Sequence, residues 1–161
     1  MKKFYLLLAL TIGASTVFAQ SPRKKANGEI GGISIAVDYG SPSVKGRTIW
    51  GGLEKYDAVW RAGANGCTTV EFSKEASING ESIEAGKYGF FIIPKEEGKW
   101  TVIFNKVSDQ WGAFDYDESK DALRIDVEPE WSEEVQETLM YSVDETLNFG
   151  WEKARISLEV K

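Results

Sequence analysis

The stretch Val59–Phe72, VWRAGANGCTTVEF, places Arg61 and Asn65 four positions apart with only alanine and glycine between them. A guanidinium fork and a carboxamide on so slight a chain can hold a carboxylate or a sugar hydroxyl, because residues without bulk let backbone amides approach a ligand. The same residues also make an ordinary turn. Gly63 and Asn65-Gly66 would bend the chain, while Arg61 lays its stem over Trp60 or pairs with a carboxylate. Upstream, YGSPSVKGRTIWGG hangs Lys45, Arg47 and Trp50 on a segment that Pro42, Gly46 and Gly51-Gly52 keep irregular. Binding residues concentrate on such loops. Two cations and an indole suit an anionic or sugar ligand, and solvated loop charges are the alternative.

Six tryptophans recur along the chain. An exposed indole can stack on a sugar ring, whereas a buried one fills core and needs a partner for its N–H. Trp50 and Trp111 adjoin glycines in loops, where a platform could stand. Trp100 alternates with Val102 and Phe104, which places it in the core. The candidate ligand-binding set is therefore Lys45, Arg47, Trp50, Trp60, Arg61, Asn65 and Trp111.

Catalytic chemistry is more constrained. The chain has no histidine, which excludes Ser-His-Asp and Cys-His pairs and any His-ligated zinc or copper. Acid–base work would fall to Asp, Glu, Lys or Tyr. Asp38, Asp57, Asp109 and Asp115 stand in loops or at strand ends, and a hydrolase would need two carboxyls about 5–10 Å apart across a cleft. Cys67, the single cysteine, can form no internal disulfide and has no histidine to activate it, so it reads as a small buried or half-buried thiol. In DYDESKDALRID, Asp115, Asp117, Ser119, Asp121 and Asp126 approach calcium-loop spacing. Lys120, however, stands where an EF-hand needs glycine, and flanking helices are missing. A charged turn is expected there, with no metal and no cofactor.

These residues need a scaffold, and alternation with period two supplies one. In ISIAVDY, Ile33, Ile35, Val37 and Tyr39 share a face; ALRIDVEP and ARISLEVK repeat the pattern with Leu123, Ile125 and Val127, and with Ile156, Leu158 and Val160. These are half-buried antiparallel strands. KYGFFIIP is apolar on both faces and predicts a central strand stopped by Pro94, with KWTVIFNK as its hairpin partner. SINGES predicts a second hairpin turned by Asn79-Gly80. ETLMYSVDE adds a strand with Leu139, Tyr141 and Val143 on one face. PEWSEEVQET reads as a short helical turn capped by Ser132 or as a Glu-rich loop. The fold class is all-β: one antiparallel sandwich or open barrel of about eight strands with little helix.

The N-terminus reads as a signal peptide over residues 1–19, with Lys2 and Lys3, an apolar Phe4–Leu10 run and a small-residue cleavage site at Val17-Phe18-Ala19. The apolar run falls short of the roughly 20 residues that span a bilayer. The expected product is a single exported domain, 20–161, periplasmic or secreted, with no stable membrane span. Without Lys2 and Lys3 the 19 basic residues fall to 17 against 25 acidic ones, a charge of −8. That acidity argues against a nucleic-acid partner, which requires clustered Lys and Arg. SPRKKANG reads as a solvated tail.

VDYGSPSVKGRTIWGGLEKYDAVWRAGAN, followed by EAGKYGFFIIP, WTVIFNK, QWGAFDYDESKDALRI and WEKARISLEV, resembles the domain-of-unknown-function family 2911 of small exported bacterial proteins. The resemblance covers nearly the whole expected mature chain. It implies an all-β domain and no established activity. Lys45, Gly46 and Arg47, then Trp60, Arg61, Gly63, Ala64 and Asn65, then Gln110, Trp111 and Gly112 stand at motif positions; Gly66 and Cys67 depart from the pattern. If SVKGR, WRAGAN and QWG meet at one end of the domain they form a single pocket. Three functions are open: a module binding a carbohydrate or another small anionic or polar ligand, a carboxylate-dependent hydrolase, and a structural or interaction protein of the envelope.

Overall fold

The computed structural model describes residues 20–161; the expected signal peptide lies outside them. Ten strands follow in chain order: β1 (Arg23–Ile30), β2 (Ile33–Gly40), β3 (Thr68–Phe72), β4 (Ala76–Ile78), β5 (Glu81–Ile83), β6 (Gly86–Ile93), β7 (Trp100–Asn105), β8 (Asp121–Val127), β9 (Glu130–Val143) and β10 (Thr146–Glu159). The helical content among the described residues is one 3-10 turn, Glu118–Lys120. The alternating segments therefore became strands as expected, two more than the sequence suggested.

Six strands form one antiparallel sheet in the order β1-β2-β3-β6-β7-β8, and β9–β10 and β4–β5 are separate hairpins. These hairpins continue the curl of the sheet. β9 runs beside β1, so close that a Cβ on Gly28 would stand 2.5 Å from the Val143 carbonyl oxygen. β10 meets β4 at the Ile78–Val160 bridge, and β5 neighbours β8. The result is an open barrel. Asn79 (φ 50°) and Gly80 (φ 93°) make the β4–β5 turn, the positive angles that a tight hairpin requires.

The inner face of the central strands carries large side chains: Val37 of β2, Val70 and Phe72 of β3, Phe90 of β6, and Val102 and Phe104 of β7 are all buried. Trp50, Trp60, Trp100 and Trp151 pack as one cluster with ring centroids 4.6–5.8 Å apart. β6 is apolar on both faces because its outer face is buried too. There Phe91 joins Cys67 and Ile103 beneath Val59, Ala113 and Tyr116. The cover is the loop 106–120, tied down from β7: Asn105 Nδ2 donates to Asp117 O (2.9 Å) and Asp121 Oδ1 (2.7 Å), and its Oδ1 accepts from Val107 N (2.9 Å).

Two segments differ from their sequence reading. SPRKKANG forms most of β1 rather than a loose tail: its ladder to β2 runs from Arg23–Gly40 to Ile30–Ile33, and Lys24, Ala26, Gly28 and Ile30 lie half-buried on one side. A strand needs only alternate positions covered, and lysine stems can provide that. The Glu-rich PEWSEEVQET opens the 14-residue β9. The bulges opposite it are bridged by Gln136, whose Nε2 donates to Thr138 O (3.2 Å) and Gly150 O (3.1 Å), so side-chain bonds stand in for missing ladder bonds.

Phe90 and Phe104 stack edge to face at 5.1 Å with both rings buried. Phe90→Ala or Phe104→Ala should cost ~3–5 kcal/mol by denaturant titration. Wild-type stability in either variant would contradict this packing.

Candidate functional site

The segment after β2 crosses the end of the barrel and is spliced to β6 by a two-way backbone bridge: Trp60 N–H to Ile92 O (2.8 Å) and Ile92 N–H to Trp60 O (2.9 Å). Neighbouring extended residues point to opposite faces. Trp60 goes inward, stacked on Trp151 at 5.7 Å, and Arg61 goes to the outer surface. The next turn is pinned from inside. Ala62 takes φ 48°, a conformation costing about 1–2 kcal/mol for a residue with a Cβ. Its carbonyl accepts from Tyr141 OH (2.7 Å) and Thr68 Oγ1 (3.2 Å), and the Gly63 carbonyl accepts from Trp60 Nε1 (3.1 Å).

Arg61 lines a cleft of ≈ 220 Å³ with Glu54, Val59, Trp60, Ala113 and Phe114. Its Nε is buried and has no acceptor, whereas buried donors are nearly always paired. Gly112 (φ 67°) lies against it: a Cβ there would stand 2.5 Å from Arg61 Nη1. Phe114 is 81% exposed. Burial pushes the Glu54 carboxyl up to about 7, against the downward pull of Arg61 and Arg47. Near neutral pH this carboxyl is therefore a donor for part of the time and an acceptor for the rest.

Beyond the Gln110–Phe114 turn lies a larger polar cavity of ≈ 800 Å³, lined among others by Arg23, Asp38, Lys87, Asp109, Trp111 and Asp115. Arg23 is engaged there, its Nε on Asp38 Oδ1 (2.5 Å) and its Nη2 on Cys67 O (2.8 Å). Cys67 is buried, and burial pushes its thiol up to about 11, so it stays protonated at neutral pH.

Of the candidate set, Arg61 and Trp111 lie on adjoining loops but line different cavities, with Gly112 between them. The Cys67 N–H donates to Gln110 O (3.2 Å), joining WRAGAN to QWG. Arg47 is near enough to act on Glu54, but its guanidinium folds back onto its own loop, Nε on Val44 O (3.1 Å) and Nη2 on Ser43 O (2.5 Å). Asn65 Nδ2 donates to Ser21 O (3.2 Å). Lys45 is exposed and lies toward β9, its N–H on Glu137 Oε1 (2.9 Å). Trp50 and Trp60 lie in the core, so neither ring is a surface platform. Among the four carboxylates, Asp57 pairs with Lys95; Asp38, Asp109 and Asp115 line the larger cavity. In the calcium-like run, Asp117 caps the 3-10 turn through Ser119 N, and Asp121 Oδ2 accepts from Tyr116 OH and Arg124. Sequence reasoning missed Glu54 and Phe114. The acid inside the glycine-bounded GGLEKYD loop was the available sign of the first, and the aromatic two residues beyond QWG that of the second.

Fold and site together define an all-β open barrel with an arginine cleft on its outer wall rather than a ligand chamber inside. The chain belongs to a family: residues 21–160 match the family model described as "Protein of unknown function (DUF2911)". No curated protein and no solved structure matches it. No helix among the described residues is long and apolar enough to cross a membrane.

The raised Glu54 carboxyl has a consequence for stability. Between about pH 4.5 and 7 the folded chain holds a proton that the unfolded chain has released. The contribution is complete below about 4.5 and is lost as pH rises through about 7, amounting to at most about 3 kcal/mol. Glu54→Gln should therefore melt higher than wild type at pH 8, with the advantage gone at pH 5. A difference that ignores pH would contradict the burial of this carboxyl.

Proposed function

We propose that the chain is an exported binding protein, periplasmic or secreted, that takes a small anionic, hydroxyl-bearing ligand such as an acidic sugar in the Arg61 cleft. The observation that carries this reading is the buried Arg61 Nε without an acceptor, beside an exposed phenyl ring and a carboxyl poised near neutrality. An unpaired donor shut away from water costs free energy that a neighbouring acceptor can return. A planar guanidinium fits a carboxylate through two parallel hydrogen bonds, Phe114 offers the apolar face of a sugar ring a surface, and Glu54 can give or accept a hydroxyl bond. Arg47 and Asn65, already hydrogen-bonded within the chain, support the loop rather than the ligand.

Titration calorimetry with D-galacturonic acid tests the cleft. Arg61→Ala should weaken binding at least about tenfold, and Arg61→Lys should not restore it, because an ammonium lacks the planar fork. Affinity unaffected by Arg61→Ala would remove the cleft as the site. A second reading, carboxylate-dependent hydrolysis, draws on Asp109 and Asp115 lining one cavity. Turnover of an oligosaccharide during these titrations, lost in Asp109→Asn, would favour it.

A further inference from the structure

The two cavities are neighbours divided by one turn of chain. Gln110 and Trp111 line the larger; Ala113 and Phe114 line the smaller; Gly112, with φ 67°, lies between them and against Arg61. Burial raises the pKa of both Glu54 in the small cleft and Cys67 on the wall of the large one, and the Arg61 charge pulls each back down, so its field reaches both sides of the ridge. The ridge also bears the exposed rings: Trp111 is 61% exposed and Phe114 81%. Trp111 lies over Gly66, 4.0 Å from where a Cβ would stand, which turns it toward the large cavity. Phe114 turns toward the small one. Two large aromatic rings left to water three residues apart are not accounted for by the packing of this domain, and exposed apolar surface on a rigid support marks a contact with something else. The larger cavity adds Lys87 and the Arg23–Asp38 pair, with Asp109 and Asp115 as acceptors for hydroxyls. Its ≈ 800 Å³ is room for more than one small ring.

Resting on the cleft reading above, we propose that the ligand is an oligomer of acidic sugars laid across the 110–114 ridge, with one carboxylate at Arg61 and successive rings stacked on Phe114 and Trp111. A single sugar held at Arg61 leaves the larger cavity unfilled. A chain of several gains the second ring face and the mixed-charge cavity without a second loss of translational freedom. In the larger cavity Lys87 is the cation outside the Arg23–Asp38 pair and can meet a second carboxylate of such a polymer, while Asp109 and Asp115 accept from its hydroxyls.

The experiment compares D-galacturonic acid, tetragalacturonate and neutral cellotetraose by calorimetry on the mature chain, with Trp111→Ala and Arg61→Ala beside wild type. Trp111 is exposed, so its removal is compatible with folding, and the melting curve checks this. Tetragalacturonate should bind at least about tenfold tighter than the monomer. Trp111→Ala should bring that ratio close to one, and cellotetraose should bind at least about tenfold more weakly than tetragalacturonate. A monomer that binds through Arg61 with no gain in the tetramer overturns this inference and leaves the cleft reading standing. Tetramer binding that needs Trp111 but survives Arg61→Ala overturns the cleft reading and the placement of the carboxylate. Equal affinity for the neutral chain overturns the acidic class, and binding of none of the three overturns both proposals.

Discussion

The bridge between Trp60 and Ile92 fixes the geometry on which the rest of the outer wall depends. Two hydrogen bonds of 2.8 and 2.9 Å add one extended residue to the side of β6 left open ahead of the first residue of β3. That residue must send its side chain to one face and its successor's to the other. A tryptophan enters the aromatic cluster, and an arginine is delivered to the surface next to Glu54. The strained Ala62 that follows is held by two core hydroxyls, Tyr141 and Thr68. The buried core thus fixes the direction of a surface guanidinium, which is the rigidity that a preformed site needs.

The second wall of the cleft has a separate origin. Loop 106–120 stays on the sheet because the outer face of β6 and β7 is apolar at Phe91 and Ile103, and because Asn105 ties both ends of the loop to the strand that precedes it. Two carboxylates of this region serve as structural anchors: Asp121 receives Asn105, Tyr116 and Arg124, and Asp117 caps the turn. With its backbone held from below, the loop can carry Trp111 and Phe114 facing outward.

The strands were legible because alternation is a local signal: β2, β6, β7 and β8 follow directly from which positions are apolar. β1 and the start of β9 were not, since both are written in charged residues and gain strand geometry from the hairpin partner each pairs with, β2 in one case and β10 in the other. The role of the tryptophans was half legible. Trp100 announced itself by alternation, whereas Trp50 sits beside Gly51 in an irregular loop and only the fold reveals that this loop turns into the core. Arg61 stood out by composition. What singled it out from Arg47 was the hydrogen bonding: one guanidinium is consumed by two carbonyls of its own loop, and the other keeps a buried N–H without an acceptor. No spacing rule encodes that difference.

Side-chain nitrogen NMR of the arginine Nε–H groups, recorded while D-galacturonic acid is added, tests the central assignment most directly. The Arg61 Nε–H resonance should move progressively with ligand, while those of Arg47 and Arg23, already bonded within the chain, stay in place. Movement of Arg47 or Arg23 with a stationary Arg61 would contradict the account.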